Sequence, residues 1–458
     1  MKFLGRTEEI KRIKSKLDTN NQENILIYGR RRIGKSFLIK KVLEDYNCII
    51  INYQCKDINI ENTLSDLTQL IIEQFNIKYN IVFNNFDEVL DFLFNRREKV
   101  IFVIDEYPYL TSKINGLNSI LQNKIDKYKY DSDMKIIISG SQIDIMKDMQ
   151  EYHNPLYGRF SEIINLKELN YYETSQFYPL YSLEDKVTLY SVFGGEPLYN
   201  NRVNNKISII DNIIDLMVKE NSFVEITINN ILSSELTKIT SANDVLLAIA
   251  SGAKKNEEIV TKAHLDSSAK LNHTLKALLK LDLIEKRVPI NDEKNKKKTL
   301  YYIKNNAYKF YYKYIYKNLS ARNNMDCLTF FNIFIKEDFI TKFIPNVFED
   351  IAKQYLIIQN KANKINPPFY KIGTYWYDDK VNKTNGQFDI VTLDKNGYIF
   401  YEVKYINDKI NESIINNEIN QFNIINLNYY NLGFISKNGF DDTNDSFIFI
   451  TLNDIYNI

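Results

Sequence analysis

Four short apolar runs punctuate the first 140 positions of the chain, and each predicts a β-strand: Asn24–Tyr28, Cys48–Asn52, Lys99–Ile104 and Lys135–Ser139. All are continuous and rich in β-branched residues, as expected of strands buried on both faces of a parallel sheet. Apolar positions at helical spacing fill the intervals, for example Lys35–Tyr46 and Leu64–Phe75. The alternation predicts a wound α/β architecture. From about Leu166 the pattern becomes helical, with helices expected over Tyr171–Tyr178, Glu184–Phe193 and Ile207–Lys219. Between Ser241 and Ile303 three helices, the third Ala269–Leu281, precede two strands, Ile284–Pro289 and Thr299–Ile303, around the polar loop Asn291–Lys298. That order is a winged-helix pattern, and a tyrosine-rich helical connector, Tyr308–Tyr316, follows it. The last segment returns to α/β. A helix at Asn346–Gln359 precedes a hairpin, Gln387–Leu393 and Tyr398–Lys404, closed by Asp394-Lys395-Asn396-Gly397. The predicted organisation is a core over 1–165, a helical lid over 166–232, a winged helix and connector over 233–325, and a small α/β domain over 326–458.

Length and composition agree with several cores. At 458 residues the chain exceeds one ordinary domain, and 44% hydrophobic with 26% charged residues is a globular balance. With 59 Lys and Arg against 58 Asp and Glu, the net charge of +1 carries no global nucleic-acid signal, so any such contact needs a local basic patch. Abundant Ile, Asn, Lys and Tyr fit an AT-rich coding sequence, and the Asn-rich stretch Asn411–Asn431 keeps helical apolar spacing. The three cysteines, Cys48, Cys55 and Cys327, have no metal spacing and are expected to be free thiols. No apolar run nears the ~18 residues that span a bilayer, and Met1-Lys2-Phe3 opens no signal peptide; the expected location is cytoplasmic, away from membranes.

Gly29-Arg30-Arg31-Arg32-Ile33-Gly34-Lys35-Ser36 matches the P-loop pattern, between the strand that ends at Tyr28 and a helix that begins with Phe37. Its glycines let backbone N–H groups curl around a β-phosphate at a helix N-terminus. Lys35 reaches the β- and γ-phosphates, and the Ser36 hydroxyl ligates Mg²⁺. ATP with Mg²⁺ is the expected cofactor. The run Val100–Ile104 then delivers Asp105 to the metal sphere and Glu106 to an attacking water, although an acidic pair ending a strand also caps helices. Ser139, Ser141 or Gln142 would sense the γ-phosphate or merely end a strand. Arg159, after the turn Pro155–Gly158, would neutralise transition-state charge in its own subunit or a neighbour's, or form a surface salt bridge.

These motifs carry a resemblance. Phe3-Leu4-Gly5-Arg6 with Glu9, the arginine-rich P-loop, Asp105-Glu106, Gly140-Ser141, Leu156-Tyr157-Gly158-Arg159 and Gly194-Gly195-Glu196-Pro197 occur in order. The chain resembles the archaeal-type ATPase family, a branch of the AAA-like and signal-transduction (STAND) P-loop ATPases, over about residues 1 to 230. The arginine-rich P-loop and Gly-Gly-x-Pro are the specific parts. The resemblance implies that Phe3, Gly5 and Arg6 lie near the adenine and that Gly194–Pro197 belongs to the lid; otherwise Gly194–Pro197 is a helix stop before a Pro-started helix. Nucleotide contacts are thus expected from Phe3, Gly5, Arg6, Gly29, Arg30, Arg31, Arg32, Ile33, Gly34, Lys35, Ser36 and Phe37. The family often carries a winged helix and then a domain similar to the PD-(D/E)XK nuclease fold.

Segments here fit both. The third helix offers Lys270, Asn272, His273 and Lys276 to DNA, and the wing loop offers Lys294, Lys296, Lys297 and Lys298; alternatively the segment joins domains and its lysines are solvated. In the last domain Asp389 is followed by Glu402 and Lys404, with Phe388 where the nuclease motif usually has Pro. Glu402 and Lys404 share a strand face. Asp389 and Glu402 could hold a second Mg²⁺ or Mn²⁺, Lys404 serve the attacking water, and Glu349 in the preceding helix complete an acidic set. The D-x(n)-E-x-K pattern is loose enough to arise by chance. Two functions follow: an ATPase, as a monomer or a homo-oligomer, whose nucleotide state controls a nuclease-like domain, or an ATP-dependent switch whose last domain only binds. A small-molecule kinase is disfavoured, since no separate acceptor signature is seen.

Overall fold

The structure, a computed structural model, describes residues 3–236, 241–295, 299–379, 384–425, 429–443 and 446–457. The chain divides into two compact units, Met1–Leu169 with Glu196–Leu198, and Asn170–Gly195 with Tyr199–Ile458. Thus the helices expected as a lid group with the second unit, and Glu196–Leu198 is the piece of that segment that groups with the first.

In the first unit, β1 (Glu23–Tyr28), β2 (Ile49–Gln54), β3 (Val100–Asp105), β4 (Lys135–Gly140) and β5 (Glu162–Asn165) form one parallel sheet in the order β2-β3-β4-β1-β5. The first four match the apolar runs; β5, whose alternation is short and broken, extends the sheet beside β1. Every residue of β1, β3 and β4 is buried. Because successive side chains face opposite sides, Leu26, Phe102, Ile104, Ile136 and Ile138 join one core, while Ile25, Ile27, Ile101, Val103 and Ile137 join the other. Helices including Thr7–Leu17, Lys35–Leu43, Ile60–Phe75 and Phe86–Phe94 cover the two faces.

The second unit opens with helices Tyr171–Ser175 and Leu183–Phe193, and Ile209–Ile213 runs on through a π-helical turn, Ile214–Val218. Helices Ala242–Ala250, Asn256–Lys262 and Ser268–Lys280 then precede an antiparallel ribbon of β6 (Ile284–Arg287) and β7 (Leu300–Ile303). The expected Tyr308–Tyr316 connector is the helix Asn306–Phe310 and a π turn, Tyr311–Ile315, with Tyr308, Tyr311, Tyr312 and Tyr314 buried. The helix Ile344–Lys361 leads into a mixed sheet of β8 (Lys371–Asp379), β9 (Thr384–Asp394), β10 (Gly397–Lys404), β11 (Asn431–Ser436) and β12 (Ile448–Thr451). The β8, β9 and β10 pairings are antiparallel, the helix Glu412–Ile425 crosses over, and β11 and β12 continue in parallel. The expected hairpin is β9–β10, turning at Asp394 and Gly397. β8 was not anticipated.

One glycine shows how the fold constrains the P-loop. A Cβ on Gly29 would stand 2.4 Å from the carbonyl oxygen of Leu166, and Leu166 is tied there because its N–H donates to Tyr28 O at 2.7 Å. Gly29→Ala is therefore expected to lower stability by about 1–3 kcal/mol even with no nucleotide present, measured by urea unfolding. Unfolding at the wild-type midpoint would refute that packing.

Candidate functional site

Five parallel strands bring their carboxyl ends to one edge, the usual site for ligands of open α/β sheets. There the loop after β1 turns through Arg32 (φ 68°) and Gly34 (φ 99°) into the helix Lys35–Leu43. Lys35 is buried, and its Nζ donates to Gly29 O at 3.1 Å and Arg30 O at 3.2 Å, with Glu106 Oε1 at 3.8 Å. Burial pulls its ammonium below the ordinary value, while Glu106 and Asp105 pull the other way.

Asp105 reaches this loop through the strand order. The β3–β4 pairing ends at Ile104↔Ile138 and the β1–β4 pairing at Tyr28↔Gly140. The next position on β3 therefore faces Ser139. Asp105 is buried, Ser36 Oγ donates to its Oδ2 at 2.6 Å, Ser139 Oγ donates to its Oδ1, and the Glu106 N–H donates to Oδ1 at 3.1 Å. Ser36 and Asp105 thus present two adjoining oxygen donors, a set that fits a hard divalent cation. Glu106 has φ 54°, a left-handed conformation costly for a non-glycine residue. It caps Tyr107–Thr111, and Oε2 accepts from the Ser141 N–H at 3.1 Å and Ser141 Oγ at 2.7 Å. Of the three alternatives for a phosphate sensor, Ser139 donates to Asp105 and Ser141 to Glu106. Gln142 stands at the N-cap of Ile143–Asp148.

The arginines have distinct partners. Arg6, itself at φ 65°, donates to Ile33 O at 3.3 Å, so the Phe3–Arg6 segment does touch the P-loop. Phe3 packs on the core beneath, and Phe37 is exposed. Arg31 donates to Tyr109 Oη at 3.3 Å, and Arg30 pairs with Glu168 at 3.2 Å. Glu196, from Gly-Gly-Glu-Pro, is 1% exposed. Burial raises its carboxyl to about 7, opposed by Arg30, reinforced by Glu168, and opposed again by Arg32 and Arg6. The sequence marked Gly194–Pro197 but not this buried acid, because its surroundings come from segments far apart in the chain.

Arg159 takes the salt-bridge alternative within its own chain. Its carbonyl accepts from Asn24 Nδ2 at 3.1 Å, at the amino end of β1, and its guanidinium pairs with Asp126 at 2.9 Å. The P-loop leaves the other end of that strand, roughly 15 Å away at ~3.3 Å per residue. In its own subunit Arg159 is a salt-bridge residue.

In the second unit Lys270, Asn272, His273 and Lys276 all lie exposed on the helix Ser268–Lys280, and Lys294 is exposed. Lys296, Lys297 and Lys298 lie outside the described residues. The four C-terminal candidates meet: Glu349, Asp389, Glu402 and Lys404 line one pocket of about 250 Å³, together with Gln387 and Glu418. Phe388, stacked on Phe422 at 4.7 Å, anchors β9 in the core, so alternation turns Asp389 away from it. Asp389 stands one step beyond the pair Tyr401↔Ile390, where Glu402 is its counterpart. Burial raises the Glu349 carboxyl to about 8, reinforced by Asp389, Asp350 and Glu402. Among the described residues, no group of three or more His, Cys, Asp or Glu side chains is placed so that it could hold a metal ion. Lys404 Nζ bridges Glu402 at 2.6 Å and Glu418 at 3.1 Å. Sequence reasoning missed Gln387 and Glu418. Gln387, two residues before Asp389 on the same strand face, was accessible to it; Glu418 comes from a crossover helix and gave no signal.

The Glu196 surroundings predict a pH effect. Folded Glu196 holds its proton more tightly than the unfolded chain, where glutamate titrates near about 4.3. The associated stability is full below that value and lost as pH rises through about 7. Glu196→Gln removes this loss. Its melting temperature relative to wild type is expected to be higher at about pH 8 than at about pH 5, by about 2–4 °C for each kcal/mol recovered. An equal difference at both values would contradict the buried carboxyl.

Comparisons with known proteins agree with the first unit's geometry. A family model described as an ATPase domain predominantly from Archaea matches residues 3–202, and one described as archaeal and bacterial proteins of unknown function matches residues 311–416. An uncharacterized protein of Methanocaldococcus jannaschii is 32% identical over 408 residues, 88% of this chain and 87% of the relative. An uncharacterized ATP-binding protein of the same organism is 46% identical over 43 residues, 9% of this chain and 73% of its own. Among solved structures, the Walker-type ATPase of Pyrococcus abyssi aligns with a TM-score of 0.47 at 18% identity, covering 68% of this chain and 96% of that one. The Aeropyrum pernix ORC2 protein aligns with a TM-score of 0.44 at 13% identity, covering 70% and 93%. No helix among the described residues is long and apolar enough to cross a membrane. With its P-loop strand, its acidic strand and a relative matched along most of both chains, the protein belongs to the archaeal-type P-loop ATPase family.

Proposed function

We propose that ATP turnover in the first unit controls a divalent-metal-dependent phosphodiester-cleaving site in the second. The observation that carries this reading is the convergence of Glu349, Asp389, Glu402 and Lys404 on one pocket. Its sheet is entered by a helix, built from an antiparallel β8–β9–β10, and continued in parallel after a crossover helix. That order fits a PD-(D/E)XK nuclease-like domain.

At the nucleotide site, Lys35 exchanges the Gly29 and Arg30 carbonyls for β- and γ-phosphate oxygens. The Arg30–Arg32 turn and the amides to Ser36 cradle the phosphates, and Phe3–Arg6 flanks the base. Ser36 and Asp105 would hold magnesium, which would supply positive charge to the phosphates. Glu106 leaves Ser141 to take a proton from the attacking water. Ser141 is a positioning residue that keeps the base in reserve. Arg159 would serve only a neighbouring subunit's nucleotide, in a homo-oligomer.

At the second site Asp389, Glu402 and Glu349 would have to draw together to hold Mg²⁺ or Mn²⁺, which would supply Lewis-acid chemistry to a phosphodiester. Lys404, held between Glu402 and Glu418, would orient water and offset developing charge on the phosphate. The exposed face of Ser268–Lys280, with Lys294 and the lysines 296–298, is assigned to DNA as a winged helix. A second reading, a switch whose last domain only binds, is favoured by the hold of Glu402 and Glu418 on Lys404.

The purified chain, incubated with plasmid, linear duplex, single-stranded DNA and RNA, with Mg²⁺ or Mn²⁺ and with or without ATP, separates these readings. Cleavage that disappears in Lys404→Ala while ATP hydrolysis persists is expected; no cleavage on any substrate would leave the switch. For the ATPase, Glu106→Gln is expected to slow turnover by about 10²–10⁴-fold while retaining bound ATP, and Lys35→Ala to lose nucleotide binding, both read by phosphate release and filter binding. Unchanged turnover in Glu106→Gln would remove its role as base.

A further inference from the structure

We propose that a cleft in the second unit takes a single nucleic-acid strand and leads it to Glu349 and Asp389. The inference rests on the phosphodiester-cleaving reading of the acidic pocket and names the form of its substrate.

The cleft holds about 880 Å³, and Glu349 and Asp389 line both it and the smaller acidic pocket. Lys254, Lys262, Lys309, Lys313, Lys317 and Arg287 also line it. Four carboxylates, Asp338, Glu349, Asp350 and Asp389, share the lining, so the six cations outnumber the acids by two. Some are committed: Arg287 pairs with Glu285 at 2.6 Å and Asp350 at 3.0 Å, and Lys313 with Asp338 at 2.5 Å. Lys309 is not. It is half-buried, its ammonium lies 5.4 Å from the Phe343 ring centroid, and among the described residues that ammonium makes no side-chain hydrogen bond or ion pair at contact distance, although the charges of Asp350 and Glu349 act on it. An ammonium held from water with no anion in direct contact is costly, and a phosphate entering the cleft would supply that contact. Lys254 and Lys317 are exposed.

Aromatic groups stand among these cations. Tyr302 lies under Lys254 at 4.7 Å and Arg287 at 4.4 Å, and half-buried Phe334 lines the same cleft beside exposed Ile333. Cations for a backbone interleaved with rings for bases is the chemistry of single-strand binding. Size points the same way. The volume is that of a large small-molecule pocket, up to about 1,000 Å³, room for a few nucleotides. A duplex, whose major groove alone is about 12 Å wide, does not fit inside it.

The test measures fluorescence anisotropy of a labelled oligothymidine with the full chain in EDTA, so that no cleavage intervenes, over a salt series. Wild type is expected to bind the strand more tightly than a blunt duplex of the same length. Lys309→Met should weaken strand binding about tenfold, the size of one lost charge-assisted contact, and Lys309→Arg should restore it. Combining Lys254→Gln, Lys309→Met and Lys317→Gln should flatten the salt slope by about 2, near 0.7 for each phosphate contact removed. Thermal melts of each variant separate loss of the contact from loss of the fold. Strand binding unchanged in the triple variant, duplex bound as tightly as the strand, or polyglutamate displacing the strand as well as oligothymidine does would each overturn the proposal. Lysine-dependent strand binding by a chain that cleaves nothing would support the cleft and sink only the cleaving assignment.

Discussion

The nucleotide-site geometry depends on the insertion of β4 between β1 and β3. With β4 in the middle, the P-loop and the acidic strand end are not adjacent strands but the two banks of a gap, and Ser139 sits in that gap on Asp105. Ser36 from one bank closes onto the same carboxylate. Three hydroxyl and carboxyl groups from three strand ends therefore meet because parallel registers place Tyr28, Gly140 and Asp105 at one edge. Glu106, one residue on, is turned by its left-handed backbone toward Ser141 rather than along the strand.

Much of this was legible in the sequence for a physical reason: buried parallel strands must be apolar throughout, and a P-loop needs its glycines and lysine at fixed spacing. What local patterns do not contain is strand order. The position of Arg159 illustrates it. The turn before it suggested a residue returning to the phosphates, but the chain instead re-enters the sheet as β5 alongside β1, starting from the opposite edge. Glu196 illustrates the same limit, since its arginines come from two separate stretches, Arg6 and the Arg30–Arg32 turn. Lid helices could be recognised as helices from periodicity, but not the unit with which they pack.

The C-terminal sheet was partly legible. The hairpin and its turn declared themselves through alternation and an Asn-Gly pair, and Glu402 and Lys404 followed from strand geometry. β8 did not, because its run from Lys371 to Asp379 mixes glycine, aromatic and acidic residues. Phe388 is instructive in another way. Where a proline was expected, an aromatic ring stacked in the core fixes the strand on which Asp389 stands. Different side chains can thus set the same acidic residue, one by backbone restriction and one by burial.

The crowding of Gly29 by Leu166 bears on how relatives of this protein should be interpreted. The first P-loop glycine is demanded by the chain's own packing, whatever the loop binds. A descendant that had lost nucleotide chemistry would be free to drift at Lys35 or Glu106 while still retaining Gly29. Its presence in a diverged homologue is therefore a fossil of the architecture, and only the lysine and the acidic pair report on whether the engine still runs.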